Sequence, residues 1–188
     1  MNLTREFDDG LTRCGWLSDD ITYVKYHDTE WGTKTVGQNP LFEKICLEGF
    51  QAGLSWLTIL KRRQGFRTAF HGFDVLKVAA ISDREVENLM VNTDIIRNRA
   101  KIRSAISNAQ VILEQEIDLT ELLWSFAPNQ PLTPESEFEW RANSPESDAL
   151  SKELKRLGFS FVGSTTMYAL MQSTGMVQDH APGCFLRP

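Results

Sequence analysis

Cysteine is scarce in this sequence, with three residues among 188. An odd number of thiols argues against a disulfide framework. Apolar runs are also short, and none approaches the roughly 18 residues that a membrane-spanning helix needs. Residues 1–9 are charged and lack the apolar core of a secretory signal. We therefore expect a cytoplasmic protein without a membrane partner, in which the thiols stay reduced.

A surplus of positive charge is missing too, because 20 basic residues face 25 acidic ones and the net charge is −5. Taken alone, this balance points away from nucleic acid. Net charge is a weak criterion, however, since an enzyme that acts on DNA needs only one basic face. Basic clusters do occur at residues 61–67, 97–103 and 152–156. Each of them is also typical of an ordinary solvated helix surface.

Patterns of alternating strands are absent as well, and helical signals dominate. Ser82 and Glu85 have the spacing of a capping box at a helix start. A long apolar stripe at helical spacing follows, formed by Ile102, Ile106, Ala109, Ile112 and Leu113. Further helices are predicted from Pro40, over about 54–66, 118–126 and 147–157, and from 164 to about 175, with a polar connector at 134–145. The sequence predicts an all-α fold.

A glycine-bounded turn at residues 158–163 separates the last two predicted helices. Gly158 and Gly163 would let a phosphate approach the backbone closely. Ser164 is a good N-cap, and the free amides and dipole of the helix that follows would attract the anion. Lys155 and Ser164 could reach the same phosphate. The alternative is an ordinary helical hairpin of a bundle.

Metal-ligand residue types occur at both ends of the chain. Cys14 and His27 lie near the N-terminus, and His180 and Cys184 lie near the C-terminus. Two thiolates and two imidazoles complete a tetrahedral zinc shell, and such a closed shell is structural because no position is left for water. The alternative is that these residues are a buried apolar thiol or a hydrogen-bonded core histidine, as is common for each type alone.

Aromatic residues cluster around one carboxylate. Five tryptophans are present, and Glu48 lies in an otherwise apolar stretch at 45–50. The aromatic residues nearest to it in sequence are Trp16, Tyr23, Tyr26, Trp31 and Trp56. Such residues most often build a core. Aromatic faces and a single carboxylate would also bind a flat, cationic base, and a buried carboxylate needs a partner or a role in a site.

These residues belong to motifs that resemble the 3-methyladenine DNA glycosylase I family of the helix-hairpin-helix DNA glycosylase superfamily. The similar segments include residues 13–16 (Arg-Cys-Gly-Trp), 26–28 (Tyr-His-Asp), 30–32 (Glu-Trp-Gly), 45–49 (Ile-Cys-Leu-Glu-Gly), 51–56 (Gln-Ala-Gly-Leu-Ser-Trp), 123–126 (Leu-Trp-Ser-Phe), 147–152 (Ser-Asp-Ala-Leu-Ser-Lys), 158–159 (Gly-Phe), 161–163 (Phe-Val-Gly), 179–180 (Asp-His) and 183–184 (Gly-Cys). The resemblance extends from about Arg13 to Cys184.

The resemblance implies a helix-hairpin-helix glycosylase fold in which one structural zinc joins the N- and C-terminal segments. It implies zinc ligands at Cys14, His27, His180 and Cys184, base-binding residues at Trp16, Tyr23, Trp31 and Trp56, catalytic residues at Glu48 and Tyr26, and DNA contacts from Gly158 through Ser164. Residues 13–188 would form one glycosylase domain, with a central helical lobe at about 40–115 and a second lobe formed by both termini. Residues 1–12 would be a flexible N-terminal extension.

The implied activity is excision of 3-methyladenine from double-stranded alkylated DNA by base flipping. Glu48 would accept a hydrogen bond from the exocyclic amine of adenine, where guanine presents a carbonyl acceptor instead. No lysine is placed as a clear Schiff-base nucleophile, so we expect a monofunctional enzyme that leaves an abasic site without cutting the strand. We also expect it to be a monomer and to use no nucleotide cofactor. The superfamily's catalytic aspartate has one candidate, Asp179, and the group that activates water stays unassigned.

Two alternatives remain open at this point. One is a zinc-containing DNA-binding module without catalysis, which would keep the turn and the metal ligands but would have no use for Glu48 beside tryptophans. The other is a related glycosylase that prefers another lesion.

Overall fold

The computed structural model describes residues 2–129 and 133–188. Across these ranges the chain is mostly helical. Its helices are α1 (Ile21–Thr29), α2 (Gln38–Gln51), α3 (Trp56–Ala69), α4 (Val75–Ala79), α5 (Asp83–Val91), α6 (Arg99–Glu114), α7 (Leu119–Trp124), α8 (Pro145–Leu157) and α9 (Ser164–Ser173), with 3-10 turns at His71–Phe73 and Glu135–Glu137. None of the described helices is both long and apolar enough to cross a membrane.

The predicted mostly helical fold is confirmed, and a small two-stranded antiparallel sheet at the N-terminus adds to it. Strand β1 (Thr4–Glu6) pairs with β2 (Thr12–Cys14), with Thr4 opposite Cys14. Strands of three residues are too short to show the alternation that identifies a strand in sequence. The first strand lies within the stretch that we interpreted as an extension, and its pairing brings that stretch beside Cys14.

The main hydrophobic core is built by helices that pack against each other in pairs, with α4 on α6, α8 on α9, and α2 on α9. The predicted apolar stripe of α6 faces this core, with Ile102 and Ala109 fully buried, whereas Leu113 at its end is exposed. Phenylalanine rings in mutual contact, most of them tilted or edge-to-face, fill the space between α2, α3 and the turn that follows α3, namely Phe42, Phe50, Phe66, Phe70 and Phe73. This core holds α2 and α9 face to face.

Side-chain caps define some of the helix starts. The capping box of Ser82 and Glu85 is present as predicted. The starts of α2 and α3 differ from the prediction. Helix α2 begins two residues before Pro40, and α3 begins at Trp56 because the Ser55 side chain accepts a hydrogen bond from the Thr58 amide.

A second, smaller core joins the two ends of the chain. Its buried members are Cys14, Leu17, Tyr26, Trp31, Leu60, Ala181 and Cys184. The C-terminal segment is also fastened to the sheet, because the Phe185 amide donates to the Thr12 carbonyl at 2.9 Å. Residues more than 160 positions apart therefore contribute to the same small core.

Candidate functional site

A cavity of about 490 Å³ opens where α1, α2, α3 and α9 meet. Its lining residues are Trp16, Tyr23, Tyr26, Trp31, Glu48, Gln51, Trp56, Trp140, Ala169, Gln172 and Ser173. All six residues proposed from the sequence as pocket residues lie in this lining. The other five were not proposed, and three of them share one face of α9.

Three helices carry four of the six residues, whereas Trp16 and Trp31 lie in turns outside the helices. Tyr23 and Tyr26 are three residues apart on α1, so they share a face. Glu48 lies in the last turn of α2, and Trp56 is the first residue of α3. The α2–α3 connection therefore brings a carboxylate and an indole to the same side of the cavity.

The aromatic rings form a wall of the cavity in two groups of contacting rings. Trp16 lies 5.2 Å from Tyr23 and 5.1 Å from Trp31, measured between ring centroids. Tyr26 lies 5.4 Å from Trp56 at an interplanar angle of 49°. Tilted and edge-to-face pairs of this kind leave ring faces available, and such faces attract a planar cation.

Glu48 is the only carboxylate among the described residues that line the cavity. Its side chain is buried, and this burial raises its pKa to about 8, although the ammonium of Lys44 and the hydroxyl of Ser173 act in the opposite direction. Lys44 also donates to the Ser173 carbonyl at 2.8 Å and so links α2 to α9. At pH 7 the carboxyl is consequently mostly protonated, and it ionises as the pH rises toward 8.

The two phenols beside Glu48 stay protonated. Burial raises the pKa of Tyr23 to about 12, and the negative charge of Glu48 adds to the effect. Burial also raises the pKa of Tyr26 well above its usual value, with Glu48 again contributing. The cavity therefore combines one acceptor that can ionise with phenol groups that can donate.

A cluster of metal-ligand atoms lies behind the aromatic wall. Donor atoms of Cys14, His27 and Cys184 all lie within 4.8 Å of one another, and the three residues are buried. The fourth predicted ligand, His180, is close by, with its ring centroid 5.2 Å from that of His27. Its Nε2 atom is buried and lacks a hydrogen-bond partner among residues 2–129 and 133–188.

Hydrogen bonds orient both imidazoles. The Nδ1 atom of His27 is 2.8 Å from the Asp28 carboxylate, which also accepts from the buried guanidinium of Arg13. Burial acts to raise the pKa of Asp28, but the hydrogen bonds from Arg13 and His27 together lower it. His180 places Nδ1 3.3 Å from the side-chain oxygen of Gln178. In both rings Nδ1 is engaged. The Nε2 atom of His27 lies 3.5 Å from the Cys184 sulfur, whereas the Nε2 atom of His180 is left for another partner.

Protonation in this cluster suits a metal. The hydrogen bond between the two sulfur atoms raises the pKa of Cys14 and lowers that of Cys184, and His27 lowers the latter further. One thiolate is thus favoured in the free protein. Burial lowers the pKa of His180 to about 4, which keeps this imidazole neutral. Thiolate and neutral imidazole are the forms that coordinate zinc.

The connection between α8 and α9 is shaped by a glycine and fixed by hydrogen bonds from two side chains. Gly158 ends α8 in the left-handed region with φ of 105°. Asn108 then clamps the Ser160 backbone, donating to its carbonyl at 3.1 Å and accepting from its amide at 2.9 Å. Ser151 donates to the Val162 carbonyl at 2.7 Å. The turn is therefore fixed by side chains of α6 and α8.

The start of α9 corrects one detail of the prediction. Gly163 is the N-cap, and Ser164, which we predicted in that role, is the first residue of the helix. No side chain caps this end. A Cβ atom on Gly163 would meet nothing within 4 Å, so the approach to the first amides is open. Lys155 is exposed in the last turn of α8.

Asp179 does not line the cavity. Its carboxylate is buried and accepts hydrogen bonds from the Tyr168 hydroxyl at 2.6 Å and from the Gln172 side chain at 2.9 Å. These bonds join the end of α9 to the segment that carries His180. Gln172 itself lines the cavity, so Asp179 contacts the site through it.

Comparison with known proteins gives consistent matches along the chain. The family described as methyladenine glycosylase matches residues 16–187. DNA-3-methyladenine glycosylase 1 of Escherichia coli (strain K12) is 46% identical over 183 residues, which cover 95% of this chain and 98% of that protein.

Solved structures agree with the sequence matches. A crystal structure of 3-methyladenine DNA glycosylase I superposes with a TM-score of 0.89 at 46% identity, covering 94% of this chain and all of the other. A structure that addresses 3-methyladenine recognition by 3-methyladenine DNA glycosylase I from Staphylococcus aureus gives a TM-score of 0.84 at 31% identity, over 91% of this chain and 94% of that one.

Proposed function

This chain belongs to the methyladenine glycosylase family, and from that premise we propose that it is the enzyme that excises 3-methyladenine from alkylated DNA. The reaction hydrolyses the N-glycosidic bond, releases the base and leaves an abasic site in base-excision repair. The observation that carries the proposal is the buried carboxylate of Glu48 in an aromatic cavity.

The cavity fits a flipped, cationic purine. A base inside a duplex is inaccessible to such a recessed site, so the nucleotide must rotate out of the stack. Methylation at N3 gives the adenine a positive charge and weakens its glycosidic bond. The aromatic wall attracts the charged ring, and ionised Glu48 complements it. Binding and orientation therefore contribute more than strong acid catalysis.

Glu48 and Tyr26 together explain the choice of base. Ionised Glu48 accepts from the exocyclic amine of adenine, whereas guanine would oppose it with a carbonyl acceptor. Tyr26 stays protonated and lies against Trp56. We assign Glu48 and Tyr26 as catalytic residues and Trp16, Tyr23, Trp31 and Trp56 as base-binding residues.

One structural zinc is part of the proposal. The donor set fits the ion because Cys14, His27 and Cys184 are already gathered, and the buried Nε2 of His180 lacks a partner in the described chain. Four protein ligands leave no open position, so the metal would supply only structural cross-linking between the chain ends. The assigned ligands are Cys14, His27, His180 and Cys184.

The α8–α9 unit is the proposed DNA-binding hairpin of a helix-hairpin-helix fold. The uncapped amides that follow Gly163, together with the helix dipole, favour a phosphate. Gly158 shapes the turn, and Ser164 and Lys155 supply a hydroxyl and a cation nearby. This local site accounts for DNA binding by a chain whose net charge is −5.

The enzyme would act as a monomer on double-stranded alkylated DNA in the cytoplasm, without a nucleotide cofactor and without cutting the strand. Residues 13–188 would form one glycosylase domain, whose central lobe at about 40–115 and terminal lobe enclose the cavity. Residues 1–12 precede that domain and supply β1.

The test is release of bases from methylated duplex DNA, separated by chromatography. We expect wild-type protein to release 3-methyladenine, and Glu48→Gln to lose about a hundredfold or more in rate, as is common when one preorganised group is removed. Glu43→Gln is the matched control, since Glu43 lies on the same helix and pairs with Arg67 outside the cavity. Normal release by Glu48→Gln would show that the pocket assignment is wrong.

A further inference from the structure

Lys101 is a buried cation on α6 that is only 7% exposed. Its ammonium donates to the Phe50 carbonyl at 2.9 Å and to the Ala52 carbonyl at 2.6 Å. The last carbonyls of a helix have no partner inside that helix, and a cation also suits the negative end of the helix dipole. Lys101 therefore completes the C-terminal end of α2, the helix that carries Glu48 in its last turn.

A tight turn follows α2 at once. The Leu54 amide donates to the Gln51 carbonyl at 2.6 Å. Ala52 has a φ of −45° and a ψ of 115°, and Gly53 has a φ of 80°. These angles are those of a type II turn, whose third residue needs the left-handed region that glycine adopts. Since the Ala52 carbonyl accepts from Lys101, the ammonium fixes this 51–54 turn as well as the helix end.

Asn108 lies on the same face of α6 as Lys101, because seven residues correspond to nearly two helical turns. It is also buried, and it holds both the amide and the carbonyl of Ser160 in the α8–α9 connection. One face of α6 is thus bonded to the 51–54 turn through Lys101 and to the α8–α9 connection through Asn108. The two anchors are about 10 Å apart along the helix axis, from a rise of about 1.5 Å per residue.

A second, smaller cavity of about 210 Å³ lies between the 51–54 turn and the first turns of α9. Its lining residues are Glu48, Gln51, Ala52, Gly53, Leu54, Thr165, Thr166 and Ala169. Three of these residues, Glu48, Gln51 and Ala169, also line the main cavity. Thr165 and Thr166 directly follow the start of α9. The smaller cavity therefore adjoins both the main cavity and the proposed phosphate site.

A flipped nucleotide would have to span the space between these two sites. Its base would lie in the main cavity beside Glu48, and its strand would be held by a phosphate at the first amides of α9. The sugar that connects base and strand would then lie at the smaller cavity. The bond to be hydrolysed joins this sugar to the base, so its position depends on the separation of the two sites.

From these contacts we propose that Lys101 and Asn108 are positioning residues, which together hold the base cavity and the start of α9 at the separation that a flipped nucleotide requires. The inference rests on the proposed function. Neither residue lines the main cavity or the smaller one, and both act through the connections that they hold. Free 3-methyladenine needs only the main cavity, whereas methylated DNA needs both sites at the correct separation.

The first test compares methylated duplex DNA with the free base. Lys101→Met keeps most of the apolar stem and removes the donor. We expect the single-turnover rate of 3-methyladenine release to fall about ten- to a hundredfold, since misplacing the reacting groups by about 1 Å has effects of this size. The Kd and the number of binding sites for free 3-methyladenine, measured by titration calorimetry, should stay the same. Lys101→Arg keeps a donor and should recover part of the rate.

Asn108→Leu tests the other anchor, and it decides the question alone if Lys101→Met does not fold. It removes both bonds to Ser160 and should slow release from DNA without changing the Kd of the free base. Loss of either anchor frees the same separation, so the double variant should be little slower than the slower single one. Gln110→Met is the control and should keep the normal rate. Gln110 also lies on α6 and donates to a backbone carbonyl, that of Ala79, but it lines neither of the two cavities.

The possible results separate the positioning role from the proposed function. Normal release from DNA by Lys101→Met and Asn108→Leu, with Glu48→Gln inactive, overturns the positioning role and leaves the proposed function in place. A free-base Kd that rises as much as the rate falls also overturns it, because the two residues would then shape the base cavity itself. Multiplicative losses in the double variant would show that the two anchors do not hold one shared separation. Normal release of 3-methyladenine by Glu48→Gln contradicts the proposed function itself.

Discussion

Replacing Glu48 with glutamine should make this protein more stable at pH 8 while it loses its activity. The folded protein holds a proton on Glu48 up to about pH 8, whereas the unfolded chain releases it near pH 4.5. Between these values the folded state binds more protons, so the stability that comes from the protonated carboxyl is lost as the pH rises. Glutamine does not ionise and escapes this loss.

The magnitude follows from the pKa of Glu48, which burial raises from its usual 4.5 to about 8. Each pKa unit corresponds to about 1.4 kcal/mol. The penalty for the charged form is therefore about 5 kcal/mol above pH 8, and about 3 kcal/mol is already present at pH 7. For a domain of this size, the difference at pH 7 amounts to about 6–12 °C in Tm.

Urea unfolding of wild type and Glu48→Gln at pH 5, 7 and 8 measures the effect. The amide and the protonated carboxyl are similar at pH 5, so the two proteins should differ there by about 1 kcal/mol or less. The advantage of glutamine should grow with pH. Glu43→Gln controls for the loss of a carboxyl on the same helix. A difference that is the same at pH 5 and pH 8 would refute the raised pKa and, with it, the electrostatic account of the cavity.

Three further predictions concern catalysis, DNA and metal. Because base recognition needs ionised Glu48, kcat/KM for 3-methyladenine release should rise with pH up to about 8, and Glu48→Gln should lack this rise. Gly163 has a φ of −65°, which proline accepts, so Gly163→Pro should remove one backbone amide without forcing φ to change. We expect this variant to bind undamaged duplex more weakly in a fluorescence anisotropy assay, whereas Gly163→Ala should bind normally. Purified protein should contain about one zinc per chain by elemental analysis. Cys184→Ala should lose the metal and have a clearly lower Tm. An unchanged Tm in the metal-free variant would mean that the cluster does not stabilise the fold.

How much of this site the sequence could predict depends on where each residue lies. Tyr23, Tyr26 and Glu48 have chemistry that suits a base pocket or a core, and the resemblance to the glycosylase family implied the pocket; the structure places them on helices α1 and α2. Ala169 and Gln172 carried a weaker signal, a common face of α9, which only the packing of α9 on α2 turns toward the cavity. Nothing in the local sequence around Trp140 indicated its position.

The missed features share a physical cause, which is dependence on distant partners. The strand Thr4–Glu6 exists because Thr12–Cys14 lies beside it, and neither segment is long enough to show a strand pattern alone. The connector that carries Trp140 is bonded to a residue far along the chain, since the Arg187 guanidinium donates to the Thr133 carbonyl. The N-cap of α9 is different in kind, because Gly163 and Ser164 are both acceptable caps and the fold selects one of them.

The metal cluster and the cavity are built from the same layer of side chains. His27 follows the cavity residue Tyr26 directly on α1, and its ring lies 5.5 Å from Trp16 and is stacked at 6.1 Å on Trp31. Trp31 in turn lies 4.7 Å from His180. Trp16 and Trp31, two of the four aromatic base-binding residues that we propose, thus pack against proposed metal ligands.

If the proposed metal is bound, this arrangement would let it influence catalysis. Loss of a ligand would then free the imidazoles, and the tryptophans that pack on them would lose their fixed orientation, while Glu48 would keep its place on α2. Cys184→Ala should therefore weaken binding of 3-methyladenine, whereas the pH at which Glu48 ionises should stay nearly the same. Measuring the Kd and the pH profile of the same variant tests this directly. A variant that binds the base normally would show that the aromatic wall stands without the metal.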